Sequence, residues 1–360
     1  MNVRMRVGPW SALAGLLVAV VPLAAQQRSP ALQRLEVVVP HSVDSAVAHG
    51  TRSVTGAPGP KYWQNWSDYD IAADVTPADS MLRGEETVTY HNASPDTLSY
   101  VVFHVYQNLM GPNAARQQPF PNATGGMVID RLQADGKTVE VPDNMVGRSA
   151  GPGSALVMGT LMRVPLATPL APGGSATFHI RWHFQIPPSY APRMGMQDST
   201  TAQIAQWYPQ IAVFDDLHGW DLQQYIGSGE FYCDYGHFKY TVTVPAGFIV
   251  GGSGVLTNAA AVLTPAERSA LQRASESDQI VHVLTEADFG PGTATQGQKG
   301  DRLTWRFDAD SVRDVAFSFG DHYLWDATRA MVDSASHRYA AVNVFYRKGA
   351  PRFDQVAAMA

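Results

Sequence analysis

The stretch 206–250, QWYPQIAVFDDLHGWDLQQYIGSGEFYCDYGHFKYTVTVPAGFIV, contains the pattern that decides the fold. Its second half alternates strictly between apolar and polar side chains. The apolar set is Phe238, Tyr240, Val242 and Val244. A period of two residues, closed by Pro245 and Gly247, predicts a strand with one face buried in a core.

The first half of the same stretch crowds aromatic side chains among carboxylates. The aromatic set is Trp207, Tyr208, Trp220, Tyr225, Phe231, Tyr232 and Tyr235, and the acidic set is Asp215, Asp216, Asp221, Glu230 and Asp234. Aromatic rings bury large areas while their polar edges still bond to carboxylates, so the segment predicts a wall between a core and a polar cleft. The alternative is a loop whose rings plug the edge of a β-sandwich. The acids alone favour a solvated rim over a catalytic pair.

The composition indicates a globular protein with many turns. The 360 residues are 45% hydrophobic, which is enough for a sizeable core and favours two domains over one. The 24 Pro and 31 Gly, with Val, Thr and aromatic residues between them, indicate short strands joined by turns. A net charge of -6 gives no reason to expect nucleic acid or anionic lipid as a partner.

The N-terminus has the three regions of a secretory signal peptide. Arg4 and Arg6 supply positive charge, residues 10–23 are apolar but too few to span a bilayer, and two alanines follow. We predict that residues 1–25 are removed, that the mature protein is secreted or periplasmic, and that no stable membrane anchor remains; an uncleaved anchor is the alternative. Because Cys233 is the only cysteine, no intrachain disulfide can form in that oxidising compartment.

Period-two runs recur after a lead over residues 26–60 that is predicted to be flexible. The clearest run covers residues 176–186, and its apolar face consists of Phe178, Ile180, Trp182, Phe184 and Ile186. A short helix is predicted at Pro265–Glu276, with Thr264 as its N-cap. The pattern predicts a mainly β protein built around a large antiparallel β-sandwich.

One histidine pair has the spacing of zinc ligands on a helix, namely His179 and His183. The alternation around them indicates a strand instead, where four residues separate the two rings by about 13 Å, too far for one zinc ion. We therefore predict no metal site there. A site assembled from His104, His218 and His237 is the alternative. The sequence also contains no nucleophile elbow and no phosphate-binding glycine loop.

Four separated blocks carry a family resemblance. They are GAPGPKYWQNWSDYDIAADVTPADSMLRGEETVTYHNASPDTLSYVVFHVYQN (56–108), PLAPGGSATFHIRWHFQIP (169–187), QWYPQIAVFDDLHGW (206–220) with GEFYCDYGHFKYTVTVPAGFIVGGSG (229–254), and FDADSVRDVAFSFGDHY (307–323). In this order they resemble the N-terminal part of secreted bacterial members of the aminopeptidase N-like (gluzincin) zinc metallopeptidase family.

The resemblance implies a domain order. Residues 61–335 would form the family's N-terminal β-saddle, a β-sandwich that packs over a thermolysin-like α+β catalytic domain and forms one wall of its cleft. Residues 336–360 would be the first strand and helix of that second domain, truncated here. The family's H-E-x-x-H helix is absent, since none of the 11 His is followed by Glu, and its G-x-M-E-N motif is absent too. Zinc and the peptide substrate would therefore be bound through the missing part, and we expect this chain alone to be inactive and metal-free.

The resemblance also implies substrate-binding residues. In the family, a Gln- or Glu-containing segment of the N-terminal domain contacts the free amine of the substrate. The matching segment here implies Gln203 and Gln206, with Trp207 and Tyr208 beside them on the cleft wall. No Glu matches the aminopeptidase pattern, which leaves true aminopeptidase activity open.

Two functions follow from the sequence. The favoured one is the non-catalytic N-terminal domain of a secreted zinc metallopeptidase that hydrolyses peptide bonds. The alternative is a secreted β-sandwich binding module for peptide or carbohydrate, with Trp207, Tyr208 and Trp220 as an apolar platform.

Overall fold

The computed structural model describes residues 38–112, 114–120, 123–142, 151–188, 191, 193–229 and 232–359. The predicted signal peptide lies outside these residues, as do Glu230 and Phe231 of the aromatic stretch. No helix in the described ranges is both long and apolar enough to cross a membrane.

The described part of the chain is mainly β, which confirms the predicted fold class. Its strands, in chain order, are β1 (Trp66–Thr76), β2 (Met81–His91), β3 (Leu98–His104), β4 (Val128–Ala134), β5 (Lys137–Thr138), β6 (Leu156–Met158), β7 (Leu161–Leu170), β8 (Ser175–Gln185), β9 (Gly195–Met196), β10 (Thr201–Ile204), β11 (Gln210–Ile211), β12 (Phe214–Asp215), β13 (Gly219–Trp220), β14 (Gly236–Pro245), β15 (Ile249–Gly252), β16 (Val255–Leu256), β17 (Val281–Leu284), β18 (Arg302–Val312), β19 (Phe317–Gly320), β20 (Tyr323–Asp333) and β21 (Arg338–Arg347). The α-helices are α1 (His41–His49), α2 (Ala259–Val262), α3 (Pro265–Glu276) and α4 (Val356–Met359), with 3₁₀ turns at Pro77–Asp79, Tyr106–Met110, Glu286–Asp288 and Phe353–Gln355.

An eight-stranded sheet forms the main layer, in the order β16-β18-β14-β1-β2-β8-β4-β5. Two four-stranded sheets, β11-β3-β7-β6 and β15-β19-β10-β9, contribute to the same core, and β12-β13 and β17-β20-β21 form smaller sheets. The pairings within the main sheet are antiparallel except for β1 with β14, which is parallel. A parallel pair needs a long crossover connection, and β1 and β14 are far apart in the chain.

The alternating runs form the strands that the sequence predicts. On β14, Phe238, Tyr240, Val242 and Val244 are buried, whereas His237 and Lys239 are exposed. On β8, the inward side chains from Phe178 to Phe184 are at most 1% exposed. The predicted helix is α3, and its first turn is closed by a capping box in which the Thr264 amide donates to Glu267 Oε2 at 2.7 Å.

Trp207 joins two sheets at the centre of the core. Its ring is fully buried and lies against Trp182 of β8, Tyr240 of β14 and Phe317 of β19, with ring centroids 6.5, 6.2 and 5.2 Å away. Its indole N–H donates to the Val315 carbonyl at 2.9 Å. Its own carbonyl accepts a hydrogen bond from the Trp182 indole, also at 2.9 Å. Ring packing and two hydrogen bonds therefore hold Trp207 in one position.

Residues 38–60 belong to the lead that the sequence predicts to be flexible, but in the structure they include a helix. Here the chain forms α1, buries Ala46 and ends the helix at Gly50 in a left-handed conformation, with φ of 79°. Arg52 then donates hydrogen bonds to both carboxylate oxygens of Asp216, the shortest being Nη2 to Oδ1 at 2.7 Å and Nε to Oδ2 at 3.0 Å. The partner lies 164 residues away in the sequence. Local composition therefore gives no sign of this contact.

The predicted domain boundary between residues 335 and 336 falls in the turn of the β20–β21 hairpin. Strands β20 and β21 pair in register from Tyr323 with Arg347 to Met331 with Tyr339. Trp325 on β20 packs against β21 and donates its indole N–H to Asn343 Oδ1 at 3.0 Å. The predicted strand and helix after the boundary are β21 and α4, but β21 belongs to the same sheet as the strand before it.

The position of Trp207 predicts a large loss of stability when its ring is removed. We expect Trp207→Ala to lower the free energy of unfolding by about 3–5 kcal/mol, because burial is lost and a cavity remains. Trp66 is 42% exposed, so the matched change Trp66→Ala should cost about 0.5 kcal/mol. Urea denaturation of both variants measures the difference, and equal losses would contradict a central role for Trp207.

Candidate functional site

A cavity of about 580 Å³ opens between the end of β3 and residues 215–229, with Tyr232 also on its wall. We call it the acidic cavity. The lining residues used below are His104, Tyr106, Asp215, Trp220, Asp221 and Tyr225. Its volume lies in the usual range for small-molecule sites, about 300–1,000 Å³. Trp220 and Tyr225, which the sequence predicts in a wall between a core and a polar cleft, are each 7% exposed and line this cavity.

His104 lies on the inner wall of the acidic cavity at the end of an apolar strand. The residues before it on β3, Val101, Val102 and Phe103, are fully buried, and His104 itself is only 4% exposed. Its ring stacks on Tyr106 at a centroid distance of 4.9 Å. Neither ring nitrogen has a hydrogen-bond partner among the described residues. A buried polar group of this kind calls for a functional explanation.

Burial determines the charge of His104. Loss of solvent lowers the pKa of the imidazole to about 4, and the nearby Asp221 carboxylate only partly opposes this effect. The closest approach, between His104 Nε2 and Asp221 Oδ2, is 3.9 Å, too long for a hydrogen bond. At neutral pH the pair is therefore a neutral imidazole beside a carboxylate, and not a salt bridge.

Asp215 is held in place by the turn that follows it. Its Oδ1 accepts the backbone N–H groups of Leu217 at 3.0 Å and His218 at 2.7 Å. Its Oδ2 accepts the Tyr232 hydroxyl at 3.0 Å. With only 10% of its side chain exposed, Asp215 is a fixed negative charge on the cavity wall.

Asp221 has one oxygen engaged and one directed at His104. Its Oδ1 accepts the Gln223 N–H at 3.0 Å, whereas its Oδ2 lies 3.9 Å from His104 Nε2. Its side chain is 19% exposed. The interpretation of these acids as a solvated rim is thus wrong for Asp215 and Asp221, whose side chains are only 10% and 19% exposed.

Asp234 shows how strongly the same segment desolvates its carboxyl groups. Burial, reinforced by repulsion from Asp215, raises the pKa of Asp234 to about 7. Nearby, burial raises the pKa of Asp314, which accepts the Tyr208 hydroxyl at 2.7 Å. The carboxyl groups of Asp234 and Asp314 therefore lack the water that normally stabilises their charge.

The four sequence-predicted substrate residues do not line the acidic cavity. Trp207 and Tyr208 are 0% and 1% exposed, so the prediction that they face a cleft, or form an exposed platform, is wrong. Gln206 is also buried, with φ of 55°, and its carbonyl accepts a hydrogen bond from Gln107 at 2.9 Å. Only Gln203, on β10, has an exposed side chain. The aromatic pair fills the sandwich because burial of two large rings outweighs exposure at a surface.

Among the described residues, the histidines are not gathered into a group of metal-ligating side chains. All 11 are described, and no group of three or more His, Cys, Asp or Glu residues in the described ranges is arranged to hold a metal ion. His179 and His183 lie on β8, as the alternation predicts, and contact Thr87 and Asp130 respectively. In the alternative trio, each histidine lies beside its own acid: His104 near Asp221, His218 near Asp215 and His237 near Asp310.

Sequence reasoning assigned no role to the pair of His104 and Asp221. The available signal was a single His inside the apolar run of β3. The sequence around Asp221 contains no comparable signal, because its contact with His104 joins two segments more than a hundred residues apart.

Comparisons with known proteins identify no family. No protein-family profile and no curated protein matches the chain. Among solved structures, the chain is similar to an M1 zinc metallopeptidase mutant from Deinococcus radiodurans bound to a Tyr-Ser-Ala substrate, with 15% identity, a TM-score of 0.44, and 82% of this chain and 50% of that chain covered. A two-domain M1 zinc metallopeptidase mutant bound to L-arginine gives 14% identity, a TM-score of 0.44, and 84% and 54% coverage. The chain spans about half the length of these structures, and at these values the likeness carries no argument about activity.

The buried imidazole predicts a defined pH response. The pKa of His104 is about 4 in the folded state and about 6.5 in an unfolded chain. Its contribution to stability is therefore fully present above pH 6.5 and is lost as the pH falls toward 4, with a slope of at most about 1.4 kcal/mol per pH unit. NMR titration of the ring resonance, assigned with His104→Gln, should give a midpoint near 4. A midpoint between 6 and 7 would contradict this account.

Proposed function

We propose that this chain is the non-catalytic N-terminal domain of a secreted or periplasmic zinc metallopeptidase, and that it forms one wall of the substrate cleft. The observation that carries the proposal is the placement of the four resemblance blocks. Although separated in sequence, they contribute the five adjacent strands β18-β14-β1-β2-β8 of the main sheet. The resemblance therefore falls on the framework of the domain and not on a single loop.

The chemistry of the proposed parent enzyme would reside outside this chain. In such enzymes zinc lowers the pKa of a bound water and so supplies a nucleophile at neutral pH. The histidines described above do not fit a zinc site, so the ligands would come from another part of the parent protein. This chain would contribute binding surface for the peptide.

Exposed apolar side chains near the β20–β21 hairpin and α4 support packing against another domain. Met331 and Tyr339 form a cross-strand pair and are 50% and 37% exposed. Phe353 and Met359, which follow in the chain, are 45% and 81% exposed. Apolar surface of this kind is typical of regions covered by another protein surface.

The acidic cavity favours a second candidate function, a secreted binding module without catalysis. A concave, partly aromatic site with a few fixed polar groups is the usual form of a small-ligand site. Peptide or carbohydrate would be the ligand class, and the net charge of -6 argues against nucleic acid.

Metal content and hydrolysis distinguish the two functions. We expect the tag-free 360-residue chain to hold no stoichiometric zinc and to hydrolyse no aminoacyl amide. We expect a form extended through the downstream coding sequence to hold one zinc per chain and to hydrolyse the same amide. The peptidase proposal would be overturned if the 360-residue chain bound zinc and hydrolysed the amide. It would also be overturned if the extended form did neither.

The exposed Gln203 allows a separate test of substrate binding. In the extended enzyme, Gln203→Ala should raise KM for short peptide amides while changing the free energy of unfolding by less than about 0.5 kcal/mol. Lys239→Ala, at an exposed position of β14, serves as the matched control. An unchanged KM in Gln203→Ala would remove this residue from the site.

A further inference from the structure

We propose that a slot on the outer face of the main sheet binds an uncharged pyranose ring of a carbohydrate chain. The slot is lined by Trp66, the first residue of β1, and by Tyr235, which directly precedes β14. We call it the aromatic slot. It shares no described lining residue with the acidic cavity. The inference rests on the second candidate function, a binding module, and gives that function a site and a ligand class.

Strand register sets the two rings side by side. Strands β1 and β14 are parallel, with Ser67 opposite Gly236. The residues one position earlier, Trp66 and Tyr235, are therefore neighbours at the same end of the two strands. Side chains alternate between the faces of a sheet, and Ser67 and Gly236 are on the buried face. Trp66 and Tyr235 accordingly point outward, and they are 42% and 44% exposed.

Each ring is supported on one face by a residue from the next strand. The imidazole of His91, on β2, stacks on Trp66 with ring centroids 4.7 Å apart and an interplanar angle of 15°. The guanidinium carbon of Arg313, which follows β18, lies 4.7 Å from the centre of the Tyr235 ring. The strand order β18-β14-β1-β2 puts these supports on opposite sides. The uncovered faces of the two rings are therefore on the sides toward each other.

The supporting residues are themselves held in place. His91 Nε2 lies 2.7 Å from Asp68 Oδ2, which anchors the imidazole. The backbone carbonyl of Arg313 accepts a hydrogen bond from Gln210 Nε2 at 2.8 Å. The two aromatic faces are thus positioned before a ligand arrives. Preorganisation of this kind lowers the cost of binding.

The lining of the aromatic slot favours an uncharged ligand. The cavity has a volume of about 410 Å³, within the usual range for small-ligand sites. None of the described residues that line it is Lys, Arg, Asp or Glu. A charged ligand would lose water without meeting an opposite charge on the lining. The acidic cavity, by contrast, has carboxylates on its wall.

Neutral hydrogen-bonding side chains complete the lining. They belong to Gln64, His237 and Ser311, all of which are exposed. An amide and a hydroxyl each donate and accept hydrogen bonds, as does a neutral imidazole through its two nitrogens. Asp310 contacts Nδ1 of His237 and so leaves Nε2 for a ligand. Sugar hydroxyls, which also donate and accept, are the matching groups.

A β-bulge in β18 brings two of these polar residues to the slot. The ladder between β14 and β18 shifts register between Gly236 and Phe238, so that Asp310 and Ser311 both lie opposite His237. Ser311 has φ of 56°, a left-handed conformation that is uncommon for residues other than Gly. Bulges are over-represented next to active sites, where they re-aim a side chain. Here the bulge supplies an anchor for the imidazole and a hydroxyl on the lining.

A pyranose ring matches both features of the aromatic slot. Its flat faces carry C–H groups that pack against aromatic rings, and its edge carries hydroxyls for the polar side chains. An aromatic side chain of a peptide would also pack against the two rings. It has no hydroxyl edge for the neutral polar lining, so the carbohydrate is the better match.

Calorimetric titration of the 360-residue chain at pH 7 tests the assignment with four probes. Three are uncharged hexasaccharides, made of β-1,4-linked glucose, β-1,4-linked N-acetylglucosamine and α-1,4-linked glucose. The fourth is N-acetyl-tryptophan amide, which has an aromatic face but no sugar hydroxyls. We expect at least one hexasaccharide to bind, at least about tenfold more tightly than the tryptophan amide. The hexasaccharide that binds identifies the sugar and its linkage.

Variants localise the binding to the aromatic slot. Trp66→Ala and Tyr235→Ala should each weaken hexasaccharide binding at least about tenfold, because each removes one stacking face. Tyr235→Phe keeps the face and should retain most of the binding. Tyr339→Ala is the matched control and should leave binding unchanged. Tyr339 is 37% exposed and has an arginine over its ring, but it lies on β21. Thermal melts check that each variant is folded.

The proposal would be overturned if no hexasaccharide bound at millimolar concentration, or if the tryptophan amide bound as tightly as the sugars. Equal losses of binding in Tyr339→Ala and Trp66→Ala would also contradict it. Sugar binding that is lost in Asp221→Asn but kept in Trp66→Ala would overturn the aromatic slot and assign the binding module to the acidic cavity. If a sugar binds at the slot and the zinc and hydrolysis test fails, only the peptidase proposal is removed.

Discussion

The packing of the Trp207 indole between Trp182, Tyr240 and Phe317 is the contact on which the rest of the structure depends. It brings side chains from the main sheet and from the β15-β19-β10-β9 sheet against one ring. Two hydrogen bonds, one donated by its indole and one accepted by its carbonyl, fix the loop that carries it. Because domains are stable by only about 5–15 kcal/mol, a contact worth about 3–5 kcal/mol is a large share of the total.

The same burial that stabilises the sandwich creates its unusual polar groups. Glu86 lies on β2 opposite Ile71 and Ile180, is 1% exposed and has no hydrogen-bond partner among the described residues. Loss of solvent raises the pKa of Glu86 well above its usual range, which favours the uncharged form of the group in the core. In the acidic cavity, the same desolvation lowers the pKa of His104. Exclusion of water therefore shifts the pKa of Glu86 and of His104 toward the uncharged form.

The cavity is built by two segments with different properties. The strand β3 positions His104 rigidly, since both of its faces are buried near that end. The segment 215–223 supplies the acids through short turns, in which the carboxylates of Asp215 and Asp221 accept backbone N–H groups. Those turn contacts orient the carboxylates before any ligand arrives. Preorganisation of this kind lowers the cost of binding.

The sequence by itself determined the β class, the buried face of β14, the extended conformation around His179 and His183, and the capped helix α3. These features depend on residues that are near one another in the chain, so a period of two or a Thr-Pro-x-Glu start is sufficient to indicate them. The sequence by itself did not determine that Trp207 and Tyr208 fill the core, that Arg52 binds Asp216, or that His104 faces Asp221. Only the tertiary structure decided these points. Burial and pairing of a side chain depend on which distant segments meet, and local periodicity carries no information about that meeting.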